Sequence, residues 1–115
     1  HGAAAYVCQN NEGQINDTAS ISAGLDYPGV SPIHCFLKDT KRARYTSATD
    51  EGALNAYKVV TKLEKINPSL EPSHAFAEAI KIAPKLNKDT IIIVNSCGDA
   101  KKDRDILKER LGKIN

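Results

Sequence analysis

The 115 residues amount to one domain or a piece of one, and an apolar fraction of 41% with 26% charged residues removes disorder as the default. Sixteen Lys and Arg against 14 Asp and Glu leave a formal charge of +2, too small to argue for nucleic acid, and the basic clusters lack aromatic neighbours on which bases would stack. Three widely spaced cysteines without a CxxC pair argue against zinc or redox work and fit a reduced, cytoplasmic setting, while no apolar run approaches the roughly 18 residues of a membrane span.

The chain opens on His1-Gly2-Ala3 without a start methionine, which reads as a piece of something longer, and the opening has no signal-peptide pattern. Tyr6 to Gln9 is a weak strand, and Asn10 to Gly13 a turn, since Asn and Gly accept unusual backbone angles. Ser20 to Val30 is rich in small residues and punctuated by Gly24, Pro28 and Gly29, an irregular, close-packed loop. Pro32 to Lys41 predicts a short helix with proline in its first turn, where the missing N–H costs nothing. Tyr45 to Ala48 reads as β. Thr49 caps the next helix, whose stripe is Leu54, Tyr57, Lys58, Thr61 and Leu63 and which Asn67-Pro68 ends. Glu71-Pro72 starts another, with Ala75, Phe76, Ala79, Ile80 and Ala83 at helical spacing and Pro84 as a stop or a late kink. The β-branched run Thr90 to Val94 predicts a strand covered on both faces, as in a parallel sheet. Asn95 to Gly98 is the loop at its carboxyl end, where open α/β sheets place ligands, and Lys101 to Leu111 is a polar last helix. The expected class is α/β.

Local rules single out three places. Asp26 sits among small residues in Ser20 to Gly29, either as a turn carboxylate accepting backbone N–H groups or as part of a site. Glu71 precedes Pro72-Ser73-His74, either compensating a helix dipole or acting chemically. Cys97 lies at the mouth of the β-branched run, either as an inert thiol or facing a ligand. There is no glycine-rich phosphate cradle and no nucleophile elbow, and the three histidines lack metal-ligand spacing.

Taken together, these places resemble the tryptophan synthase β-chain family. The similarity is carried by Ser20-Ile21-Ser22-Ala23-Gly24-Leu25-Asp26-Tyr27-Pro28-Gly29-Val30 followed by Pro32 and His34. It extends to His1-Gly2 and Gly13-Gln14-Ile15 upstream. Downstream it takes in Tyr45 to Asp50, Pro68-Ser69-Leu70-Glu71 with Ser73-His74-Ala75, and Ile92 to Asn95. The match runs to about Asp103 and corresponds to the carboxy-terminal portion of the family, so residues 1–115 are expected to be part of one domain.

The resemblance implies a three-layer sandwich with a mostly parallel sheet flanked by helices. It implies a pyridoxal-phosphate lyase of tryptophan biosynthesis that condenses L-serine with indole. Asp26 matches an aspartate that closes the site over the amino acid, and Glu71 a glutamate beside the cofactor's phenolic edge. Cys97, followed by Gly98, falls where the family has a serine facing the pyridine nitrogen. The carbonyls of Tyr27 and Gly29 fall where a monovalent cation binds, a role that suits main-chain oxygen. A thiol is a weaker hydrogen-bond partner than a hydroxyl but equally uncharged, so the chemistry type is expected to survive. The implied partners are the rest of the β chain, a second β chain and an α chain that delivers indole, with no nucleic acid and no membrane.

The sequence departs from the family after Gly98, where Asp99-Ala100-Lys101-Lys102-Asp103 lacks the expected arginine; that bears on closure and on signalling to an α chain. The family's cofactor-bearing lysine, its catalytic glutamate and its phosphate loop precede the matched stretch, and covalent capture needs an activated lysine. The stretch alone is therefore expected to be inactive. The competing reading is a non-catalytic α/β binding or scaffold module that kept the shape and lost the chemistry.

Overall fold

A computed structural model describes residues 2–112; His1, on which the resemblance opens, lies outside them. The chain divides into two compact units, one running to Thr46 and one from Ser47.

In the first unit the expected turn forms. The Asn10 carbonyl accepts from Gly13 N, and its side chain accepts from Glu12 N and Gln14 N at 3.0 and 2.9 Å. The weak strand is reduced to isolated antiparallel bridges, Val7 with Gly29 and Gln9 with Ile15. Ser20 to Val30 is irregular apart from one 3-10 turn, Ala23–Leu25. Helix α1 spans Pro32–Asp39, with Pro32 in its first turn and the Ser31 side chain accepting from Ile33 N. The amino-terminal segment is tied to α1 by Tyr6, whose hydroxyl donates to Asp39 Oδ1 at 2.6 Å and whose ring lies under Lys38 Nζ at 4.3 Å. That hydrogen bond raises the Tyr6 pKa above the usual phenol range. Only Ile21 and Cys35 are buried apolar residues in this unit among those described.

The second unit is built on helices. Helix α2, Asp50–Glu64, starts where expected: the Thr49 hydroxyl accepts from Gly52 N at 3.1 Å, and Asp50 and Glu51 suit the positive end of the helix dipole. It ends on Lys65 in the left-handed conformation, φ 58°. Helix α3, Leu70–Ile82, packs against α2. The buried stripe of α2 is Ala53, Ala56, Tyr57 and Val60. It shares only Tyr57 with the expected stripe, because small alanines let the neighbouring helix approach while Leu63 is exposed. In α3 the buried residues are Leu70, Pro72 and Ser73 at its start, so Pro72 sits at the third position rather than the first, and Ala75 and Ile80 are exposed. Pro84 falls in a 3-10 turn, Ala83–Lys85, that stops the helix as expected. The last expected helix is split: a 3-10 turn, Ala100–Asp103, leads into α4, Arg104–Leu111.

The expected α/β class, and the mostly parallel sheet of a three-layer sandwich with it, is not what forms. Among the described residues, helix with its 3-10 turns accounts for 49% and isolated bridges for 4%, and no sheet forms. Tyr45 to Ala48 and Thr90 to Val94 form no strand and pair with no other segment among the described residues. The physical reason is that a strand exists only through its neighbours: a β-branched run sets a backbone preference, but the ladder needs a second chain segment beside it. Ile91 and Ile93 are consequently 86% and 90% exposed, against 38% for Ile92. That alternation is the strand period without the sheet.

Candidate functional site

The expected site residues divide between the two units. Asp26, Tyr27 and Gly29 belong to the first. Asp26 follows the 3-10 turn, with φ −85° and ψ 72°, and is exposed. Tyr27 is 75% exposed. The bridge between Val7 and Gly29 is made by Cys8 N donating to the Pro28 carbonyl and Val30 N to the Tyr6 carbonyl. Val7 and Gly29 are thus its non-hydrogen-bonded pair, and the Gly29 carbonyl takes no part in it.

Glu71, Cys97 and Gly98 belong to the second unit, and there the structure brings them together around the start of α3. Ser69 precedes that helix, but its hydroxyl does not cap it. It donates instead to the Cys97 carbonyl at 3.0 Å, pinning the Cys97-Gly98 turn against the helix start. Gly98 has φ +90°, and a Cβ there would lie 2.6 Å from Ser69 Oγ and 4.0 Å from Glu71 Oε2. Glycine is needed for both backbone angle and space. The Cys97 thiol is exposed.

The helix start is capped by Asp103. Its Oδ2 accepts from Leu70 N at 2.8 Å across 33 positions of sequence, and the residue is 5% exposed. Its Oδ1 lies 3.3 Å from Lys102 Nζ, and the same ammonium donates to Glu71 Oε1 at 2.6 Å. One cation therefore stands between two carboxylates at the start of a helix, whose positive end suits the carboxylates. The hydrogen bond to Glu71 raises the Lys102 pKa; partial desolvation works against it, and Asp103 adds to the rise. Further along α3, Ser73 Oγ donates to the Ser69 carbonyl at 2.8 Å. His74 Nδ1 lies 2.7 Å from the Leu70 carbonyl, which can only accept, so Nδ1 is the donor.

In the sequence Lys102 and Asp103 belong to the run that departs from the family and to the polar last helix, with nothing to mark them as site residues. No local pattern announces a cap supplied from so far along the chain; the available signal was an adjacent Lys-Asp pair just after the Gly98 turn. Among the described residues, no group of three or more His, Cys, Asp or Glu is arranged to hold a metal ion, and no helix is long and apolar enough to cross a membrane. An open cleft of about 610 Å³, lined by Tyr57, Asn67, Arg104, Leu107 and Lys108 among others, reaches Asp99 to Lys101 but not Glu71 or Cys97.

As a fit to the expected cofactor, this cluster offers one edge. A carboxylate and a thiol sit on neighbouring segments, beside a turn kept bare of side chain. Nothing glycine-rich that would cradle a phosphate occurs among the described residues. No protein-family model matches the chain. The chain is similar to the tryptophan synthase β chain of Bordetella petrii, with 53% identity over 112 residues that make up 97% of this chain and 28% of that one. It is 52% identical to the chain of the same name from Cereibacter sphaeroides, over 97% of this chain and 27% of that one. For the one from Fusobacterium nucleatum the figures are 53%, 96% and 28%. The chain thus spans little more than a quarter of the length of the curated relatives it matches.

Proposed function

The chain belongs, over the stretch it spans, to the tryptophan synthase β-chain family, and from that premise we propose that it supplies one wall of a pyridoxal-phosphate site that joins L-serine to indole. The observation that carries the reading is the meeting of Glu71 with the Cys97-Gly98 turn, fixed by the Ser69 hydrogen bond and by a backbone angle only glycine accepts readily. When bound, the cofactor supplies an electron sink for β-elimination and β-replacement.

The chain's own residues hold and orient. With the cofactor bound, Cys97 would meet the pyridine nitrogen as a weak hydrogen-bond partner. Glu71 would lie beside the phenolic edge. Asp26 receives the amino-acid side chain, and the Tyr27 and Gly29 carbonyls offer hard oxygen ligands to a monovalent cation. The complement that brings the covalent anchor and the phosphate loop is the rest of a β chain, which pairs with a second β chain and takes indole from an α chain. By itself this stretch neither captures the cofactor covalently nor turns over.

The test is a graft. Residues 2–112 replace the matching stretch of the Bordetella petrii β chain, and pyridoxal phosphate is titrated into graft and isolated chain alike while the visible band of the bound cofactor is followed. The expected result is a band and tryptophan formation in the graft and neither in the isolated chain. A graft that folds but binds no cofactor overturns the proposal, and a band in the isolated chain overturns the division of labour.

A further inference from the structure

We propose that Lys102 is the positioning residue of Glu71, and that Asp103 holds Lys102 in place. The inference rests on the reading of Glu71 as a cofactor-edge carboxylate and adds the group that aims it.

Three observations converge on it. Lys102 Nζ meets Glu71 Oε1 at 2.6 Å and Asp103 Oδ1 at 3.3 Å. Asp103 is itself immobilised, buried and bonded through Oδ2 to the backbone of Leu70, the residue next to Glu71. Glu71 Oε2 lies on the side of Gly98, 4.0 Å from where a Cβ would stand. A carboxylate has two oxygens in one plane, so fixing Oε1 on an ammonium fixes the direction of Oε2. Lys102 takes the first oxygen, and the second is turned to the bare Gly98 turn and the Cys97 loop. Asp103 performs two tasks with its two oxygens: it caps the helix that carries Glu71 and anchors the cation that orients it.

A lysine suits this post. Its ammonium is a compact charge with three donors, able to serve two carboxylates at once, and the raised pKa keeps it cationic well past neutrality. Charge-assisted hydrogen bonds of this kind are short and roughly twice as strong as neutral ones. The contact joins residues 31 positions apart, tying the segment after Gly98 to the start of α3.

The experiment has two arms. In the isolated chain, NMR follows the Lys102 ammonium and the Glu71 carboxyl carbon through alkaline titration in the wild type, Glu71→Gln, Lys102→Met and Lys102→Arg. The Lys102 midpoint is expected to fall toward the ordinary lysine value in Glu71→Gln, and the Glu71 carbon to shift in Lys102→Met and return in Lys102→Arg. An unmoved Lys102 midpoint overturns the pairing. In the Bordetella petrii graft, the cofactor band and its pH profile are read for the same variants. Lys102→Met is expected to move the band and to lower kcat by on the order of tenfold to a hundredfold, as small misplacements do, with Lys102→Arg restoring most of it and no further loss in the Glu71→Gln background. A wild-type graft with no band removes the proposed function and this inference together. A band indifferent to Lys102→Met, with the first arm positive, removes this inference alone.

Discussion

Gly98 carries two constraints that a single methyl group would violate. Its φ of +90° is one that side chains rarely adopt, and an added Cβ would lie 2.6 Å from Ser69 Oγ. Gly98→Ala should therefore lower stability by about 1–3 kcal/mol, read as a fall in the denaturant midpoint. Adding Ser69→Ala should recover only part of the loss, because Ser69 Cβ stands at 3.3 Å and the backbone angle stays wrong. Full recovery would show that the hydroxyl was the whole obstacle. Lys102 makes a prediction of another kind. Its folded pKa lies above the ordinary 10.5, so its contribution to stability is complete below that value and is lost as pH rises through the folded pKa. Lys102 is 46% exposed at the side chain, so the effect is screened and small. It should appear as a steeper alkaline decline in the wild type than in Lys102→Met; parallel declines from pH 9 upward would refute it.

The helices differ in how openly the sequence declares them. Helix α2 announces its start with a threonine whose hydroxyl meets Gly52 N at 3.1 Å, and Thr49→Ala should cost about 1 kcal/mol, measured by thermal denaturation. Helix α3 hides its cap, because Asp103 reaches Leu70 N from another segment. Asp103→Ala would strand a buried backbone donor and should cost about 1–3 kcal/mol; a loss no larger than that of an exposed residue would argue that water replaces it. The contrast explains what could be read. Caps, prolines and the Asn10 turn act within a few residues, so the starts of α1 and α2 and the stop of α3 were legible. The buried stripe of α2 was not: alanines at positions 53 and 56 are buried for their smallness, which hydrophobic periodicity undervalues. Nor was the fate of the Thr90 to Val94 run, whose residue types state a preference that only a neighbouring strand fulfils. For the site, sequence similarity placed Glu71, Cys97 and Gly98 together, whereas Lys102 and Asp103 needed three-dimensional proximity to be noticed.

At the scale of the molecule, the governing fact is that the chain matches relatives of which it spans about 28%. In the second unit the Ile91-Ile92-Ile93 segment presents two isoleucines at 86% and 90% exposure, and no strand among the described residues pairs with it. Bare β-branched backbone with open donors and acceptors is a template for pairing with another chain, and contiguous exposed apolar surface drives association. The isolated chain should therefore self-associate, with sedimentation coefficients that rise with concentration. Ile91→Lys combined with Ile93→Lys should suppress the rise, since charge on an open edge discourages pairing, while leaving the α2–α3 packing and its helical circular dichroism intact. A single monomeric species across the whole concentration range would show that the exposed run is tolerated in water as it stands. Association undiminished in the double variant would move its origin elsewhere, to exposed apolar residues such as Ile33 at 70% and Leu63 at 67%.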